Sequence, residues 1–299
     1  MSKKAKKKKL LVFLRVLRDL RGSAFIFGVN MTTKELEKKA RQIRATCIQM
    51  AHDGKQGHLS SSLACVDILV ALFYGFLRGK PGETPRDRFI LSKGHGVTPL
   101  YAIFADKGWI PLDSLHDYAK EGSALPNHAC KDAMPLLEMS SGSLGHGIGY
   151  GAGMALALKM SGSDEKVVVL ISDGECNEGL VWESINFASA NKLDNLMIIV
   201  DQNGIQAVGS SYEIMFGDNL GYRFNSFGCH AINTYGSQMN NIIFELGRLQ
   251  TQEKPSVLID HSKLGVSFME GDVLWHYRCP SDDDLARALE ELGEKPIHI

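Results

Sequence analysis

The sequence has no closely spaced pair of cysteines and no apolar run long enough to span a membrane. Its six cysteines are scattered along 299 residues without a C-x-x-C pair, a spacing that indicates neither a zinc site nor a disulfide framework. The apolar stretch near the amino terminus is interrupted by charged residues well short of a membrane-spanning length, namely Arg15, Arg18, Asp19 and Arg21. These absences predict reduced thiols in a cytoplasmic protein with no membrane partner.

Neither sign of charge is in excess over the whole chain, whose formal net charge is −1. Residues 1–21 nevertheless carry a net charge of +8, from six Lys, three Arg and one Asp, which leaves about −9 for the remainder. A mildly acidic body argues against a nucleic-acid-binding surface. We interpret residues 1–30 as a basic, disordered tail, with a signal peptide as the alternative, and residues 31–299 as the folded domain.

The sequence also lacks internal repeats and, after residue 30, low-complexity linkers, which predicts one domain. Five apolar runs rich in β-branched residues alternate with stretches of helical character, and they lie at residues 88–92, 166–172, 196–201, 230–235 and 256–260. Such alternation is typical of βαβ units. The prediction is an α/β fold with a mainly parallel central sheet and helices on both faces.

Helical periodicity begins directly after the tail. Apolar positions recur at helical spacing from Leu36 to Met50, and Thr32 or Thr33 is suited to cap this helix. The stretch LACVDILVALFYGFL, which begins at Leu63, predicts a second, more buried helix. The closing stretch SDDDLARALEELGEKP predicts a surface helix.

Six glycines recur between residues 142 and 153, but they do not form a dinucleotide-binding fingerprint. No strand precedes them, and no acidic residue follows a second strand at the required distance. The glycines are instead expected to allow close helix packing or the approach of a cofactor to the backbone. Gly94 and Gly96, which flank His95 after a predicted strand, are likewise expected to let a ligand approach.

Two predicted strands end in polar turns, Asp173-Gly174 and Asn203-Gly204. The intervening stretch predicts a crossover helix, and a βαβ connection brings such turns together at the carboxyl edge of the sheet, where ligands bind. Mg²⁺ prefers oxygen ligands and commonly takes only one or two carboxylates from the protein. The candidate ligands are the carboxylate of Asp173, expected on an exposed strand end, the amide oxygen of Asn203 and the carbonyl of Ile205.

Five motifs, in this order along the chain, resemble segments of the transketolase family. They are GKQGHLSSSLACVDILVAL, LSKGHGVTPLYAIFADKG, SSGSLGHGIGYGAGMALALK, the paired turns from Asp173 to Asn203, and GVSFMEGDVLWH. The resemblance extends from Thr32 to the carboxyl terminus and implies a thiamine diphosphate-binding fold.

The resemblance implies cofactor and metal roles for residues that match family motifs. The implied magnesium ligands are Asp173, Asn203 and Ile205. The implied cofactor-binding residues are His95, Gly142, Leu144, Gly174, Asn203 and His276, together with Glu178 and Glu183. In the family, the last two positions connect paired cofactor sites across a dimer, and Glu178 is expected in the loop before the crossover helix.

The implied catalytic residues are His58, His128 and His276. His58 and His128 match histidines that line the substrate channel, although PNHACK replaces the usual G-H-P context around His128. Proton transfer and orientation of substrate hydroxyls are the roles that histidines can take there.

The activity that the resemblance implies is thiamine diphosphate- and magnesium-dependent transfer of a two-carbon ketol unit from a ketose phosphate to an aldose acceptor. Complete family members carry two further domains, with the glutamate that contacts the aminopyrimidine ring and the basic residues that hold the sugar phosphate. We therefore expect the amino-terminal subunit of a split enzyme. It is expected to be active only with a separate carboxy-terminal subunit that carries the pyrimidine domain, in a dimer of heterodimers.

Two alternatives stay open. One is a subunit of another thiamine diphosphate enzyme, similar to deoxyxylulose phosphate synthase or a 2-oxoacid dehydrogenase, and the other is a non-catalytic regulatory subunit. Three segments depart from the family near the implied substrate or cofactor face: Val208 replaces an Asp, TYGSQ replaces G-H-D, and WHYRCP replaces W-H-G-x-x-P. They leave the donor and acceptor sugars open and favour a specialised pathway.

Overall fold

The fold is built on one parallel sheet, and a computed structural model describes residues 31–215, 219–235 and 238–296. The tail predicted for residues 1–30 lies outside the described residues. The strands are Arg88–Leu91 (β1), Val167–Ser172 (β2), Leu196–Asp201 (β3), Ile205–Gln206 (β4), Gly209–Ser210 (β5), His230–Tyr235 (β6) and Ser256–His261 (β7). The main sheet has the order β1-β2-β3-β7-β6 with every neighbouring pair parallel, whereas β4 and β5 form a small antiparallel hairpin. The predicted fold class is confirmed.

Helices connect the strands and surround the sheet. Their bounds are Thr33–Asp53 (α1), Leu59–Ala64 (α2), Val66–Ala71 (α3), Thr98–Asp106 (α4), His146–Met160 (α5), Gly179–Ala190 (α6), Ser211–Met215 (α7), Leu220–Ser226 (α8), Met239–Leu249 (α9) and Asp282–Leu292 (α10). None of the helices in the described part of the chain combines the length and the apolar character needed to cross a membrane.

The first helix begins where its capping residues predict. The Thr32 side chain accepts a hydrogen bond from the backbone of Glu35, and the Glu35 carboxylate accepts one in return from the Thr32 backbone at 2.6 Å. This reciprocal arrangement satisfies two backbone donors that the helix itself cannot pair. One face of α1 then packs into the core through residues such as Leu36 and Ile43.

The prediction of one uninterrupted helix from Leu63 is wrong. Helix α2 begins earlier, at Leu59, and ends before Cys65, which separates it from α3. Helix α3 is followed by a π-helical turn at Leu72–Phe76. The carbonyl of Ser61, the normal partner of the Cys65 amide in a continuous helix, accepts hydrogen bonds from the ammonium group of Lys93 at 2.8 Å and from the Cys65 thiol at 3.5 Å. This break depends on a buried lysine distant in sequence, so apolar periodicity could not reveal it.

The central strands β2, β3 and β7 are buried on both faces, as expected for parallel strands. Alternate residues of β2 point to opposite sides: Val168 and Leu170 pack with α1–α4, α9 and α10, whereas Val167 and Val169 pack with α5, α6 and α8. The strands are therefore held between two apolar layers. Their carboxyl ends remain as the edge on which polar turns can assemble.

Candidate functional site

The two polar turns predicted from the sequence lie side by side at the carboxyl edge of the sheet. Strands β2 and β3 are hydrogen-bonded neighbours, with Ser172 paired to Asp201. The backbone N–H of Gly204 donates to Asp173 Oδ2 at 3.1 Å, which joins the turn after β2 to the turn after β3. Helix α6 makes the crossover between them.

Asp173 is buried rather than exposed, with only 4% of its surface accessible. Its Oδ1 accepts a hydrogen bond from Gly174 N–H at 2.9 Å, and its Oδ2 accepts a second bond from the hydroxyl of Ser211 at 2.7 Å. Burial raises the pKa of this carboxyl to about 6, although the Ser211 hydrogen bond opposes the rise. The expectation of an exposed strand end is wrong because the segment from Gly204 to Ser211, which includes the β4–β5 hairpin, folds back onto Asp173.

The oxygen atoms near this turn fit a hard divalent cation. Asn203 Oδ1 accepts one hydrogen bond, from Ile205 N–H at 2.9 Å, and an amide oxygen has two lone pairs. A cation beside Asp173 would offset the cost of a buried carboxylate, and carboxylate, amide and carbonyl oxygens are the ligands that Mg²⁺ accepts. No three His, Cys, Asp or Glu side chains form a possible metal cluster within the described ranges. The role of Asp173, Asn203 and Ile205 as metal ligands stays a prediction.

Four histidines that are far apart in the sequence converge at the same edge. The ring centroid of His58 lies 5.4 Å from that of His95, 5.6 Å from that of His128 and 5.1 Å from that of His276. His95 and His276 are 5.8 Å apart. His128 joins the cluster despite its unusual sequence context.

Local backbone geometry positions these rings. His58 precedes α2 in a left-handed conformation, with φ of 58°, and its N–H donates to the carbonyl of His276 at 2.9 Å. His95 lies in the short 3₁₀ turn Gly94–Gly96 that follows β1. A Cβ atom on Gly94 would lie 2.3 Å from the Ser141 carbonyl oxygen, so this glycine is required for packing. The prediction that Gly94 lets a ligand approach the backbone is wrong, because Ser141 occupies the space beside it.

All four imidazoles are held in the neutral form near pH 7. Burial, together with the positive charge of Lys93, lowers the pKa of His95 to about 2, and burial beside His58 lowers that of His276 to about 4. Burial also lowers the pKa of His58 and of His128. The Nδ1 atom of His58 is buried without a hydrogen-bond partner. The cluster therefore offers neutral rings that can each donate and accept a hydrogen bond.

Two buried charged residues that the sequence analysis did not identify, Lys93 and Glu175, hold the segments around the site together through hydrogen bonds. Lys93 is fully buried and pairs with Asp201, whose other oxygen accepts from Ser262. Burial alone would lower the pKa of Lys93, but the Asp201 carboxylate raises it above the usual value. Lys93 lies two residues after the end of β1. The only sequence signal for its role is the presence of a charged residue within the LSKGHG motif.

Glu175 is the second of these residues and has no accessible surface. One carboxylate oxygen accepts hydrogen bonds from Ser92 Oγ and from Gly145 N–H, the latter at 2.8 Å, and the other accepts from Ser172 N–H at 2.9 Å. It thus ties the entrance of α5 to the ends of β1 and β2. Gly142 and Leu144 lie in this entrance, where Gly142 is exposed and Leu144 is partly buried.

The glycines of α5 allow the helix to pack closely on the sheet. A Cβ atom on Gly151 would lie 2.5 Å from Val169 Cγ2, and one on Gly147 would lie 2.4 Å from Ser92. Close packing, one of the two uses predicted for this run, is therefore present.

Glu178 and Glu183 lie on the surface at the start of α6. Glu178 is the residue immediately before α6, as expected, and Glu183 lies on the helix; both are exposed. Within the described residues neither carboxylate is part of an ion pair or a side-chain hydrogen bond. Their side chains are accessible to a second chain.

Three described residues from the segments that depart from the family pattern, Val208, Tyr235 and Tyr277, are exposed. Val208 is 80% exposed in the turn between β4 and β5, and the Tyr277 hydroxyl donates to the neighbouring Ala207 carbonyl at 2.8 Å. At the end of β6, the exposed Tyr235 ring stacks on His261 with centroids 4.3 Å apart. Val208 thus stands where the family usually has an Asp, and Tyr277 stands where it has a Gly.

The family model, the similar sequences and the similar structures all belong to one family. The family model described as "Transketolase, thiamine diphosphate binding domain" matches residues 36–298. The chain is 38% identical over 272 residues to one subunit of the apulose-4-phosphate transketolase of Actinobacillus succinogenes, covering 89% of this chain and 99% of that protein. It is 35% identical over 271 residues to the protein of the same name from Phocaeicola vulgatus, covering 89% and 96%.

The crystal structure of transketolase from Campylobacter jejuni has the same fold, with a TM-score of 0.83 and 26% sequence identity. The match covers 89% of this chain but 44% of that one. This chain therefore spans less than half the length of that relative.

Proposed function

The chain belongs to the transketolase family, in the part that forms the thiamine diphosphate-binding domain, and from this premise we propose that it is the diphosphate-binding subunit of a two-chain transketolase. The observation that carries the proposal is the convergence of His58, His95, His128 and His276 at the edge of the sheet that also holds the Asp173 turn. Neutral imidazoles beside oxygen-lined turns are suited to a diphosphate, a divalent cation and a polyhydroxylated substrate.

The cofactor and the metal ion are assigned to different groups in this edge. Asp173, Asn203 and the Ile205 carbonyl would hold Mg²⁺. His95 and His276 would donate hydrogen bonds to the diphosphate, with Gly142 and Leu144 at the α5 entrance against the rest of the cofactor. The Gly174 N–H, which donates to Asp173 Oδ1 in this structure, would turn to the diphosphate when a cation takes up that carboxylate oxygen. Thiamine diphosphate, when bound, supplies the nucleophilic carbon that allows a bond next to a carbonyl group to be broken and formed.

The histidines would hold the substrate in position and transfer protons to and from its hydroxyl groups. At neutral pH each ring has one N–H donor and one acceptor nitrogen, because the pKa of every member of the cluster is lowered. The orphaned Nδ1 of His58 needs a hydrogen-bond partner, and a ketose hydroxyl group would supply it. His58 and His128 would thus contact the sugar, and His276 would serve both the diphosphate and the reacting hydroxyl groups.

The substrate class is a phosphorylated or closely related ketose as two-carbon donor and an aldose as acceptor. Both relatives described above are named for apulose 4-phosphate, which supports a sugar phosphate. The exposed Val208 stands where other members usually have an Asp, and Tyr277 stands where they have a Gly, so the acceptor or donor preference would differ from theirs.

A second chain would complete the active site. Each of these relatives is named as one subunit of its transketolase, which supports a partner chain that carries the carboxyl group needed at the aminopyrimidine ring. The exposed Glu178 and Glu183 would face a symmetry-related copy and link paired cofactor sites, in a dimer of heterodimers. All six cysteines are free, which supports a reducing, cytoplasmic location.

The test is donor choice by the reconstituted pair of chains. With Mg²⁺ and thiamine diphosphate present, ketose phosphate should be cleaved and its two-carbon unit passed to an aldose, whereas pyruvate should not be consumed. Consumption of pyruvate without ketose turnover would assign the chain to a decarboxylating enzyme, and inactivity with both donors would favour a regulatory subunit.

A further inference from the structure

A cavity of about 460 Å³ lies at the opposite end of β1 from the histidine cluster. It is formed where the segment before β1 meets the end of α4 and the loop at residues 136–138. Arg86 and Phe89 line it from the amino-terminal side of β1, whereas His95 follows the carboxyl end of the same strand. Its size falls within the range of about 300–1,000 Å³ that small-molecule sites occupy.

Aromatic rings form one wall of this cavity. Phe73 packs edge-on against Phe89 and Phe104, with centroids 5.1 and 5.9 Å apart, and its centroid lies 6.2 Å from that of Trp109. The ammonium group of Lys107 lies over Tyr74 and Trp109, at 4.5 and 5.3 Å from their ring centroids. Such a wall suits a flat apolar ligand.

The acidic groups that line the cavity are already paired. Glu138 binds the guanidinium group of Arg86, and Asp87 accepts two hydrogen bonds from the guanidinium group of Arg78, at 2.8 and 3.0 Å. Glu83 accepts one from the Lys80 backbone at 3.1 Å. The carboxylates of Glu138 and Asp87 are therefore neutralised by arginine side chains, whereas Glu83 is exposed to solvent.

The donors are not all paired. Arg86 has only 9% of its surface accessible, and its Nε–H is buried without a hydrogen-bond partner. Across the described ranges, Lys107 makes no hydrogen bond through its ammonium group, and the nearby Asp106 is occupied by Lys39, at 2.6 Å, and by the Tyr74 hydroxyl. Burial lowers the pKa of Lys107, and a bound anion would relieve that cost.

From this surplus of donors beside an aromatic wall, we propose that the cavity is a second ligand site, separate from the histidine cluster, for a small organic anion with a flat apolar body. The carboxylate or similar oxygen group of the ligand accepts hydrogen bonds from the Lys107 ammonium and, once the Arg86 side chain turns toward the cavity, from Arg86 Nε–H. The apolar body packs against Phe73, Phe89 and Trp109. The site is independent of the proposed transketolase activity, because none of these residues belongs to the edge that carries the histidines.

The probe is indole-3-acetate, with indole as the neutral comparison, titrated into the full-length chain by calorimetry and ligand-observed NMR. We expect one indole-3-acetate per chain, binding more tightly than indole and undisturbed by thiamine diphosphate and Mg²⁺. Lys107→Met keeps the apolar stem but removes the charge, and it should weaken indole-3-acetate at least about tenfold with little effect on indole. Leu136→Trp, which fills the cavity from a half-buried position, should abolish binding of both probes.

Lys38→Met is the matched control, because Lys38 is an exposed lysine on α1 outside the cavity, and it should bind indole-3-acetate like the parent chain. Thermal unfolding of each variant checks that the fold is retained. The proposal is overturned if the full-length chain binds neither probe, if Lys107→Met and the parent bind indole-3-acetate equally, or if thiamine diphosphate displaces the probe.

Discussion

Replacing Asp173 by Asn should make the metal-free protein more stable while removing its response to magnesium and cofactor. Burial raises the pKa of this carboxyl from 3.8 to about 6. At about 1.4 kcal/mol per pKa unit, ionisation of Asp173 destabilises the metal-free fold by about 3 kcal/mol at pH 7. Since the folded-state pKa is the higher one, this cost is absent below pH 4, grows between pH 4 and 6, and is complete above that range.

The amide loses part of what the carboxylate provides. The oxygen of the introduced amide could keep the hydrogen bonds from Gly204 N–H and Ser211, but its NH₂ group would face the Gly174 N–H, at a cost of about 1 kcal/mol. The net expectation is about 2 kcal/mol of added stability in EDTA at pH 7, or a rise in Tm of about 4–8 °C. The added stability should disappear at pH 4.

Ligand addition should reverse the order of the two proteins. Saturating Mg²⁺ and thiamine diphosphate at 100 times their Kd stabilise a binding-competent fold by about 2.7 kcal/mol, and Asp173→Asn should lose this gain. Differential scanning calorimetry with and without ligands measures both effects. Lower stability of Asp173→Asn in EDTA would refute the burial argument, and an undiminished ligand response would refute the metal assignment.

Glu165→Gln is the matched control at the other end of β2. Glu165 is also buried, but its carboxylate accepts from Arg86 N–H at 2.7 Å and lies 3.5 Å from Arg88. Removing this charge leaves the Arg88 guanidinium without its counter-charge, so the variant should be less stable in EDTA. Its response to Mg²⁺ and thiamine diphosphate should match that of the parent chain.

Three further outcomes are expected. In the reconstituted enzyme, His58→Ala should lower turnover or donor affinity with cofactor affinity unchanged, whereas His95→Ala should weaken cofactor binding about tenfold or more, since it removes a hydrogen bond to an anion. In NMR titrations, the His95 ring should stay neutral from pH 8 down to pH 5, because its pKa is lowered to about 2. Gly151→Ala should destabilise the fold by about 1–3 kcal/mol, because the added Cβ would meet Val169 at 2.5 Å, as denaturant unfolding can measure.

Each of these three predictions can be checked against a second residue in the same protein. Equal loss of cofactor affinity in both histidine variants would show that their roles are wrongly divided. His52 should titrate above its usual pKa, because its bond to Asp53, and then that to Asp282, raise the value, so a similar curve for His95 would contradict the burial argument. Gly153→Ala, on the open side of α5, should be neutral or stabilising by up to about 1 kcal/mol, and an equal loss at both glycines would exclude close packing as the cause.

The sheet could be predicted because its strands are locally marked. Runs such as residues 166–172 and 196–201 are apolar and β-branched, and each predicted strand of the main sheet is present with ends that differ by at most one residue. The helix break at Cys65 could not be predicted, because it depends on the Lys93 ammonium reaching the Ser61 carbonyl from another element. The hairpin of β4 and β5 has two residues in each strand, too few to show a period.

The candidate site could be predicted only in part, because most of its residues are brought together from distant parts of the sequence. Spacing alone could place the Asp173 and Asn203 turns together, because neighbouring parallel strands share an edge. The histidines are separated by long stretches of chain, and only the family resemblance joined His58 to His276. Buried partners such as Glu175 have no local signal, since their burial depends on donors from Ser92 and Gly145.

The central claim is that this chain anchors the diphosphate of an active site that a second chain completes, and the rate of ketol transfer during titration with the partner tests it most directly. The partner is added stepwise to a fixed amount of this chain, with saturating Mg²⁺, thiamine diphosphate, ketose phosphate and aldose. We predict no transfer by this chain alone and a rate that rises to a plateau at one partner per chain. Transfer by this chain alone at the plateau rate, or none at any ratio, would contradict the account.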